Sequence, residues 1–197
     1  MARLIVLTTL FNSEEWIGKC IASIRSQTYS DFLCFVTDDM STDSSVIEAQ
    51  RAIGEDQRFI LVRNLRKLYQ GGNYDNVISS EYVDDHDVCV EVDGDDWLPD
   101  NGVFGRVVDA YNDKKTWLTY GQFQYADGRP GFAREMAVQG CRQSSFRLTH
   151  LRTWKAFLWR SISPSDLYDD TGWYAESAGD QFFMLPMFEM ATEAHAK

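Results

Sequence analysis

Three aspartates stand close together in Asp93-Gly94-Asp95-Asp96, directly after the apolar run 88–92. If the extended geometry of that run persists, Asp93 and Asp95 project to the same side, because successive side chains of a strand alternate. Carboxylate oxygens are the ligands that Mg²⁺ and Mn²⁺ prefer, and such ions keep positions open for substrate phosphates. The spacing therefore predicts a divalent-metal site, and the alternative is a solvated acidic turn.

Further polar side chains stand where other apolar runs end. Asp39 follows the run 32–36, and Thr9 and Phe11 come at the end of the first run of the chain. Because the carboxyl ends of parallel strands meet at one edge of a sheet, we expect these residues near the aspartate cluster. Repulsion makes such a group of carboxylates costly unless a cation lies among them. In the alternative interpretation Thr9 only ends a strand, Phe11 is core, and Asp39 caps the next turn.

The elements that must position these side chains alternate between strand and helix. Buried-type strands are predicted at 4–9, 32–36, 59–62, 88–92 and 117–120. Helices are predicted from an N-cap at Ser13, over 44–53, from Asn73 after a break at Gly71-Gly72, and over 101–111. This alternation predicts an α/β fold, with a mainly parallel, Rossmann-like sheet and helices on both faces. A long loop is predicted at 124–147, and further helices near 151–159 and 180–194.

Length and composition narrow the class of protein. The 197 residues suit a single domain, 1–197. A net charge of −11 argues against nucleic acid as the main partner, since such proteins neutralise phosphates with Lys and Arg. No apolar run approaches the ~20 residues that span a bilayer. The four cysteines form no CxxC pair and are predicted to be buried free thiols, which favours a reducing, cytoplasmic location.

Four segments in order also resemble a known family. They are TTLFNSE at 8–14, SIRSQTY at 23–29, DDMSTD at 38–43 and DGDDWLP at 93–99. The first three resemble the N-terminal signature of family 2 glycosyltransferases with the GT-A (nucleotide-diphospho-sugar transferase) fold, and the fourth resembles the metal-binding DxD segment of that family. The resemblance covers about residues 3–125, and a weaker one covers 148–192.

The resemblance implies a site for a nucleotide-sugar donor. Thr9 and Phe11 would line the pocket for the base. Asp39 would accept a hydrogen bond from the base, which favours uracil if its N3–H is the donor. Lys67 could reach the diphosphate, and its alternative is a surface charge.

The resemblance also implies a metal centre holding Mn²⁺ or Mg²⁺. Asp95 would hold the metal against the diphosphate, with Asp93 near the ribose and the metal. Asp96 would contact the sugar or the metal shell. His150 corresponds to a position that helps to hold the metal or the diphosphate in some relatives, although a lone histidine is more often structural.

The acidic motif expected near the acceptor resembles AGDQFF at 178–183. Asp180 is the predicted catalytic base, which must lie within hydrogen-bond reach of the acceptor hydroxyl. An ordinary N-cap is the alternative role of Asp180, and the two roles are compatible. Glu189 is a weaker candidate for the base.

The predicted function is metal-dependent transfer of a sugar, with a UDP-sugar favoured, to a hydroxyl of a glycan or other acceptor, with inversion. Residues 1–125 would bind donor and metal, and residues 126–197 would supply the acceptor side and the base. One alternative is a nucleotidyltransferase, which would need a basic glycine-rich loop where 11–15 reads FNSEE. The other is a catalytically silent nucleotide-sugar-binding module, because segment 72–76 lacks the arginine that the family often carries. The sequence makes no prediction of oligomeric state.

Overall fold

A computed structural model describes residues 2–197 and contains one six-stranded sheet, in the order β3-β2-β1-β4-β6-β5. The strands are β1 (Leu4–Leu10), β2 (Phe32–Asp38), β3 (Phe59–Arg63), β4 (Val88–Glu91), β5 (Leu118–Thr119) and β6 (Thr153–Lys155). The pairs among β1 to β4 are parallel, and β6 runs antiparallel to β4 and β5. The predicted mainly parallel sheet is therefore confirmed.

Strand register brings the chemistry-bearing strand ends to one edge. Leu10 of β1 lies beside Asp38 of β2, and Leu7 of β1 lies beside Glu91 of β4. The three strands therefore finish within a few residues of one another. The loops that directly follow β1, β2 and β4 therefore all begin at the same edge of the sheet.

Six helices cover the sheet. They are α1 (Ile17–Arg25), α2 (Ser45–Ile53), α3 (Tyr69–Ile78), α4 (Val103–Tyr111), α5 (Ala156–Arg160) and α6 (Gly179–His195). Helices α1, α2 and α4 pack into the apolar core on one face, and α3, α5 and α6 pack into the core on the other. Burial on both faces explains why the central strands are almost continuously apolar, as the sequence indicated.

The predicted start of α1 is wrong. The backbone N–H groups of Trp16 and Ile17 donate to the carbonyl of Ser13, at 3.0 and 2.9 Å, so a turn precedes the helix. The backbone N–H of Ser13 donates to Oγ of Ser45 at 2.7 Å, at the start of α2. Ser13 therefore ties two helix starts together instead of capping α1 with its side chain.

The predicted break at Gly71-Gly72 is also wrong, because both glycines lie inside α3. The ring of Tyr174 packs on them, and a Cβ built on Gly72 would lie 2.6 Å from that ring. A close approach between two segments, and not a turn, requires glycine at this position.

The predicted helix near 151–159 is correct only in its second half. Residues Thr153–Lys155 form β6, which is inserted between β4 and β5. Its Trp154 is fully buried between the neighbouring strands and helices. Long-range pairing with two strands outweighs the local helical pattern, and only α5 remains helical.

Two other expectations are confirmed, that of buried free thiols and that of a long irregular segment. All four cysteines are free and buried. Segment 124–147 is largely irregular, with a single 3₁₀ turn at Cys141–Gln143. Within residues 2–197, no helix combines the length and the apolar character needed to cross a membrane.

Candidate functional site

Four of the predicted donor-site residues gather at the ends of β1 and β2. The backbone N–H of Asp39 donates to the carbonyl of Leu10 at 2.9 Å, which joins the two strand ends beyond the sheet. Nζ of Lys67 lies 2.9 Å from the centroid of the Phe11 ring and 3.6 Å from Oδ2 of Asp39. Phe11 keeps 48% of its surface exposed, so an aromatic face remains available beside a cation. Thr9 lies on the same strand end, and its buried Oγ1 has no hydrogen-bond partner within residues 2–197.

Asp39 is buried and already serves the backbone that follows β3. Its carboxylate accepts hydrogen bonds from the N–H groups of Leu68 and Tyr69, at 2.9 and 3.1 Å, and from Nδ2 of Asn64 at 2.8 Å. The turn after β2 is instead held by Asp38, whose Oδ1 accepts from Ser41 at 3.0 Å. Asp39 therefore fixes the start of α3 next to Phe11 and Lys67 and does not cap its own turn.

Two of the three clustered aspartates meet His150. Nε2 of His150 lies 3.4 Å from Oδ2 of Asp93, and Nδ1 lies 3.2 Å from Oδ2 of Asp96. Asp95 is exposed, and among the described residues 2–197 it does not take part in this contact with His150. The reason is local: β4 ends at Glu91, so the alternation expected to align Asp93 with Asp95 does not continue.

Gly94 allows the aspartate segment to lie against β1. Its N–H donates to the carbonyl of Thr9 at 3.0 Å. A Cβ at this position would lie 2.9 Å from that same carbonyl oxygen and 2.9 Å from Cβ of Leu10. The glycine therefore makes room for the neighbouring backbone, and this contact aligns the aspartates with the donor-site residues on β1.

Sequence reasoning missed three members of the site: Gln70, Glu91 and Arg152. Oε1 of the fully buried Glu91 accepts from Nε2 of Gln70 at 2.9 Å and from Nη1 of Arg152 at 2.6 Å. Gln70 also donates to Oδ1 of Asp93 at 3.2 Å. A signal was present, since Glu91 and Arg152 are the only charged residues in the short apolar stretches 88–92 and 151–154.

Asp180 joins the site through the same arginine. It lies in the first turn of α6, and its Oδ2 accepts from Nη2 of Arg152 at 2.7 Å. Glu189, the weaker candidate, points elsewhere: it forms an ion pair with Arg142 at 2.8 Å. The structure therefore brings Asp180, and not Glu189, to the aspartate–histidine cluster.

A cavity of about 270 Å³ connects these groups. Its walls are formed by Gln70, Asp93, His150, Arg152, Ala175, Glu176, Ala178, Gly179 and Asp180. Asp93 and His150 stand on the sheet side and Asp180 on the helix side, so a molecule in the cavity would contact both. The sequence predicted these three residues from segments that are far apart in the chain.

The electrostatics of the cavity are governed by burial and by crowded carboxylates. Burial and the charge of Glu91 raise the pKa of Asp93 to about 7. Burial also raises the pKa of Asp180 above its usual range, against the opposing charge of Arg152. Despite burial, Arg152 and His150 hold the pKa of Glu91 below its usual range.

His150 shows the excess of negative charge directly. Burial lowers its pKa, but the carboxylates of Asp96 and Glu91, which lie 3.2 and 3.6 Å from its ring nitrogens, outweigh that effect and raise the pKa to about 10. Nη1 of Arg152 lies 2.7 Å from Nε2 of His150, a contact that is a hydrogen bond only while that nitrogen carries no proton. The surrounding carboxylates therefore favour the protonated imidazole, although Arg152 places a second positive charge beside Nε2.

The residues present fit a divalent cation. One ligand atom each from Glu91, Asp93 and His150 lies within 4.8 Å of the other two. Oε2 of Glu91 is buried without a hydrogen-bond partner in the described chain, and such an orphaned acceptor is costly unless something binds it. Two carboxylates and an imidazole suit Mn²⁺, and carboxylates with substrate phosphates suit Mg²⁺.

Comparison with known proteins is consistent with this geometry. A sequence profile described as Glycosyl transferase family 2 matches residues 5–166, well over half of the chain. Among solved structures, TarS 1-349 from S. aureus superimposes with a TM-score of 0.73 at 16% identity, covering 99% of this chain and 58% of that chain.

Two further structures were solved with donors bound. TarS 1-349 in complex with UDP-GlcNAc gives a TM-score of 0.71 at 17% identity, covering 95% of this chain and 54% of that chain. The mannosyltransferase PcManGT from Pyrobaculum calidifontis, in complex with GDP-Man and Mn²⁺, gives 0.68 at 14% identity, covering 99% and 54%. At these identities the likeness establishes the GT-A fold, and the chain spans little more than half the length of these proteins.

Proposed function

Because the chain belongs to glycosyl transferase family 2, we propose that it transfers one sugar from a nucleoside diphosphate donor to an acceptor hydroxyl, with inversion at the anomeric carbon. A UDP-sugar is the favoured donor. The observation that carries the proposal is that Asp93, His150 and Asp180 all line one cavity. A donor held at the sheet edge would present its anomeric carbon to the carboxylate on α6.

The donor nucleotide is proposed to bind at the ends of β1 and β2. The exposed Phe11 face would stack on the base, and the unpartnered Thr9 Oγ1 would bond to it. Asp39 would accept from the base through the second lone pair of Oδ2, which already accepts from the N–H of Tyr69 at 3.1 Å and lies 3.6 Å from Nζ of Lys67. Lys67 would then turn toward the diphosphate. The UDP-GlcNAc bound to TarS and the GDP-Man bound to PcManGT support a nucleotide-sugar in general and leave the base to experiment.

A divalent ion, Mn²⁺ or Mg²⁺, would be held by Asp93 and His150, with Glu91 behind them. Asp95 and Asp96 stand on the exposed side of the same segment and would complete the contacts to the metal and the sugar. When bound, the cation would stabilise the negative charge that develops on the departing diphosphate. The Mn²⁺ in the PcManGT complex supports this assignment.

Asp180 is proposed as the general base. It faces the cavity from the first turn of α6, and burial favours its uptake of a proton by raising its pKa. The carboxylate would take the proton of the acceptor hydroxyl while the hydroxyl oxygen attacks the anomeric carbon from the side opposite the diphosphate. One displacement of this kind inverts the configuration. Residues 1–125 would thus serve the donor and residues 126–197 the acceptor.

The first experiment is thermal unfolding of the protein with UDP, GDP, CDP or ADP, each with and without Mn²⁺. Ligand binding stabilises the folded state by RT ln(1 + [L]/Kd), which raises the midpoint of thermal unfolding. We expect a rise with UDP that requires Mn²⁺, followed by transfer of labelled sugar from the corresponding UDP-sugars to a panel of glycans. No shift with any nucleotide would contradict the proposed donor site. A shift without transfer to any acceptor would favour the silent binding module.

A further inference from the structure

The guanidinium of Arg152 is a fork that joins three parts of the fold. The side chain is buried. Its Nε donates to the carbonyl of Leu148 at 2.7 Å, Nη1 donates to Oε1 of Glu91 at 2.6 Å, and Nη2 donates to Oδ2 of Asp180 at 2.7 Å. A planar guanidinium with fixed N–H directions holds all three acceptors in one arrangement.

The fork links a pair of neighbouring strands to a helix. Strands β4 and β6 are already paired, and the N–H of Glu91 donates to the carbonyl of Arg152 at 3.0 Å, whereas Asp180 comes from a different element. Glu91 ends β4, Arg152 precedes β6, and Asp180 lies in α6. The start of α6 has no side-chain cap, and Ala178 before it has a left-handed φ of 52°. Such a backbone is held by its surroundings and not by its own preference. The bond from Arg152 therefore supplies an anchor that the helix terminus lacks.

Burial of Glu91 and Arg152 has a weak rationale in stability. Taking two charges out of water costs about as much as their attraction returns, and an apolar pair of similar volume is often as stable. Glu91 also interrupts an otherwise apolar strand. The Glu91–Arg152 pair adds little stability, and Arg152 also donates to the candidate base Asp180. These two facts together point to a role of the pair at the site.

We propose that Arg152, aligned by Glu91, is the positioning residue that orients Asp180 for proton transfer. The inference rests on the proposed role of Asp180 as the general base. Arg152 holds Oδ2 of Asp180, and Oδ1 is the oxygen that receives the acceptor proton. Lysine cannot replace Arg152, because one ammonium on a flexible stem cannot hold both carboxylates in a fixed geometry.

The test compares Arg152→Lys, Asp180→Asn and the double variant at saturating Mn²⁺ and nucleotide-sugar. We expect the affinity of Arg152→Lys for the nucleotide to stay within about threefold of the wild-type value. Its kcat should fall by roughly 10- to 100-fold, which is part of the ~10²–10⁴-fold that a general base contributes to the rate. In the Asp180→Asn background, the lysine substitution should lower the residual kcat by less than about twofold, because residues that act as a unit are not additive. Losses that multiply in the double variant would overturn the inference.

A second comparison separates positioning from folding. Arg152→Met leaves the buried Glu91 charge unpaired and should lower the unfolding midpoint. Glu91→Gln/Arg152→Met removes both charges and should regain that midpoint, while kcat stays as low as in Arg152→Met. Glu91→Gln alone corrects for any change in metal affinity. Recovery of kcat together with the midpoint would show that the pair is only structural.

These outcomes are distinct from failure of the proposed function. If the wild-type protein binds no nucleotide, the donor site is wrong, whatever the variants do. If Asp180→Asn keeps full kcat, the base assignment is wrong and the inference about Arg152 falls with it. If Asp180→Asn is inactive but Arg152→Lys keeps full kcat, only the inference about Arg152 is overturned.

Discussion

The ring of Tyr174 lies directly on the backbone of Gly72. Its hydroxyl donates to Oδ2 of Asp75 at 2.8 Å, one turn further along α3, and Nε1 of Trp159 donates to Oδ1 of the same carboxylate at 3.0 Å. Tyr174 stands a few residues before Asp180 in the chain. Contact with α3 therefore fixes the segment that leads into the candidate base.

Gly72→Ala should destabilise the protein and lower transfer. The added Cβ would lie 2.6 Å from the Tyr174 ring, so the ring and the segment before α6 must shift. Overpacking of this kind costs roughly 1–3 kcal/mol in the free energy of unfolding. Urea unfolding would measure the loss of stability, and steady-state kinetics would measure the lower kcat.

The matched control for that substitution is Gly105→Ala in α4. A Cβ at Gly105 meets nothing within 4 Å. Since alanine is favoured over glycine in a helix interior, this variant should gain roughly 0.5–1 kcal/mol. Equal effects of the two substitutions would show that the contact between Gly72 and Tyr174 is absent in solution.

The sequence predicted those parts of the fold and site that are encoded in contiguous segments. The central strands are apolar on both faces, and Asp39 and Asp93 directly follow two of them, so their meeting at one sheet edge followed from the parallel topology. Asp180 was predicted from the resemblance of its short segment to a family motif, and the structure brings it to the cavity that Asp93 also lines.

Features that depend on distant partners were missed. β6 forms because it is inserted between β4 and β5, which local periodicity in 151–159 does not reveal. Gly72 reads as a helix breaker until Tyr174 is seen against it. The roles of Glu91 and Arg152 follow only from their pairing in the structure, because in the sequence each is a single charge in an apolar segment.

Asp180→Asn should lower kcat for transfer to a small residual value and leave donor binding nearly unchanged. Asparagine keeps the shape of the side chain but cannot take the acceptor proton, and a general base contributes typically ~10²–10⁴-fold to the rate. The measurement is kcat for sugar transfer beside the Kd for UDP with Mn²⁺. Glu189→Gln is the matched control and should keep transfer, since Glu189 pairs with Arg142 away from the cavity. Loss of UDP binding by Asp180→Asn would refute the assigned role.

Asp93→Asn should remove the part of nucleotide binding that depends on Mn²⁺. The carboxylate lies within 4.8 Å of the ligand atoms of Glu91 and His150, and a neutral amide is a weaker ligand for a hard cation. Calorimetric titration with Mn²⁺ and UDP would measure this loss. Asp100→Asn is the control, because Asp100 is exposed and pairs with Arg106 outside the cavity. Unchanged Mn²⁺ dependence in Asp93→Asn would contradict the proposed metal site.

The four cysteines should resist alkylation in the native protein. Burial raises the pKa of Cys34 to about 12, so almost none of this thiol is the reactive thiolate at pH 8, and the other three are buried as well. Mass spectrometry after iodoacetamide treatment should find no rapid modification in buffer and four modified cysteines in urea. Ser30→Cys, at an exposed position, provides the positive control and should react at once. Rapid modification of the native wild-type chain would contradict the packing of the core.

A donor whose sugar carries a carboxylate should bind less well than its neutral counterpart. The cavity walls include the carboxylates of Asp93, Glu176 and Asp180. The two cationic groups of the walls are already engaged, because Arg152 donates to Glu91 and Asp180 and His150 lies between Asp93 and Asp96. Each uncompensated like-charge pair at ~5 Å costs roughly 1 kcal/mol even in water, so we expect UDP-glucuronate to bind about tenfold more weakly than UDP-glucose at saturating Mn²⁺. Competition binding at low and high NaCl would measure the ratio of the two dissociation constants, which should shrink as salt screens the exposed charges.

The control for this prediction is Glu176→Gln, which removes one charge from the cavity wall outside the proposed catalytic groups. This variant should bring the affinities for UDP-glucuronate and UDP-glucose closer together. Equal affinities for the two donors in the wild-type protein would show that the sugar does not enter this cavity.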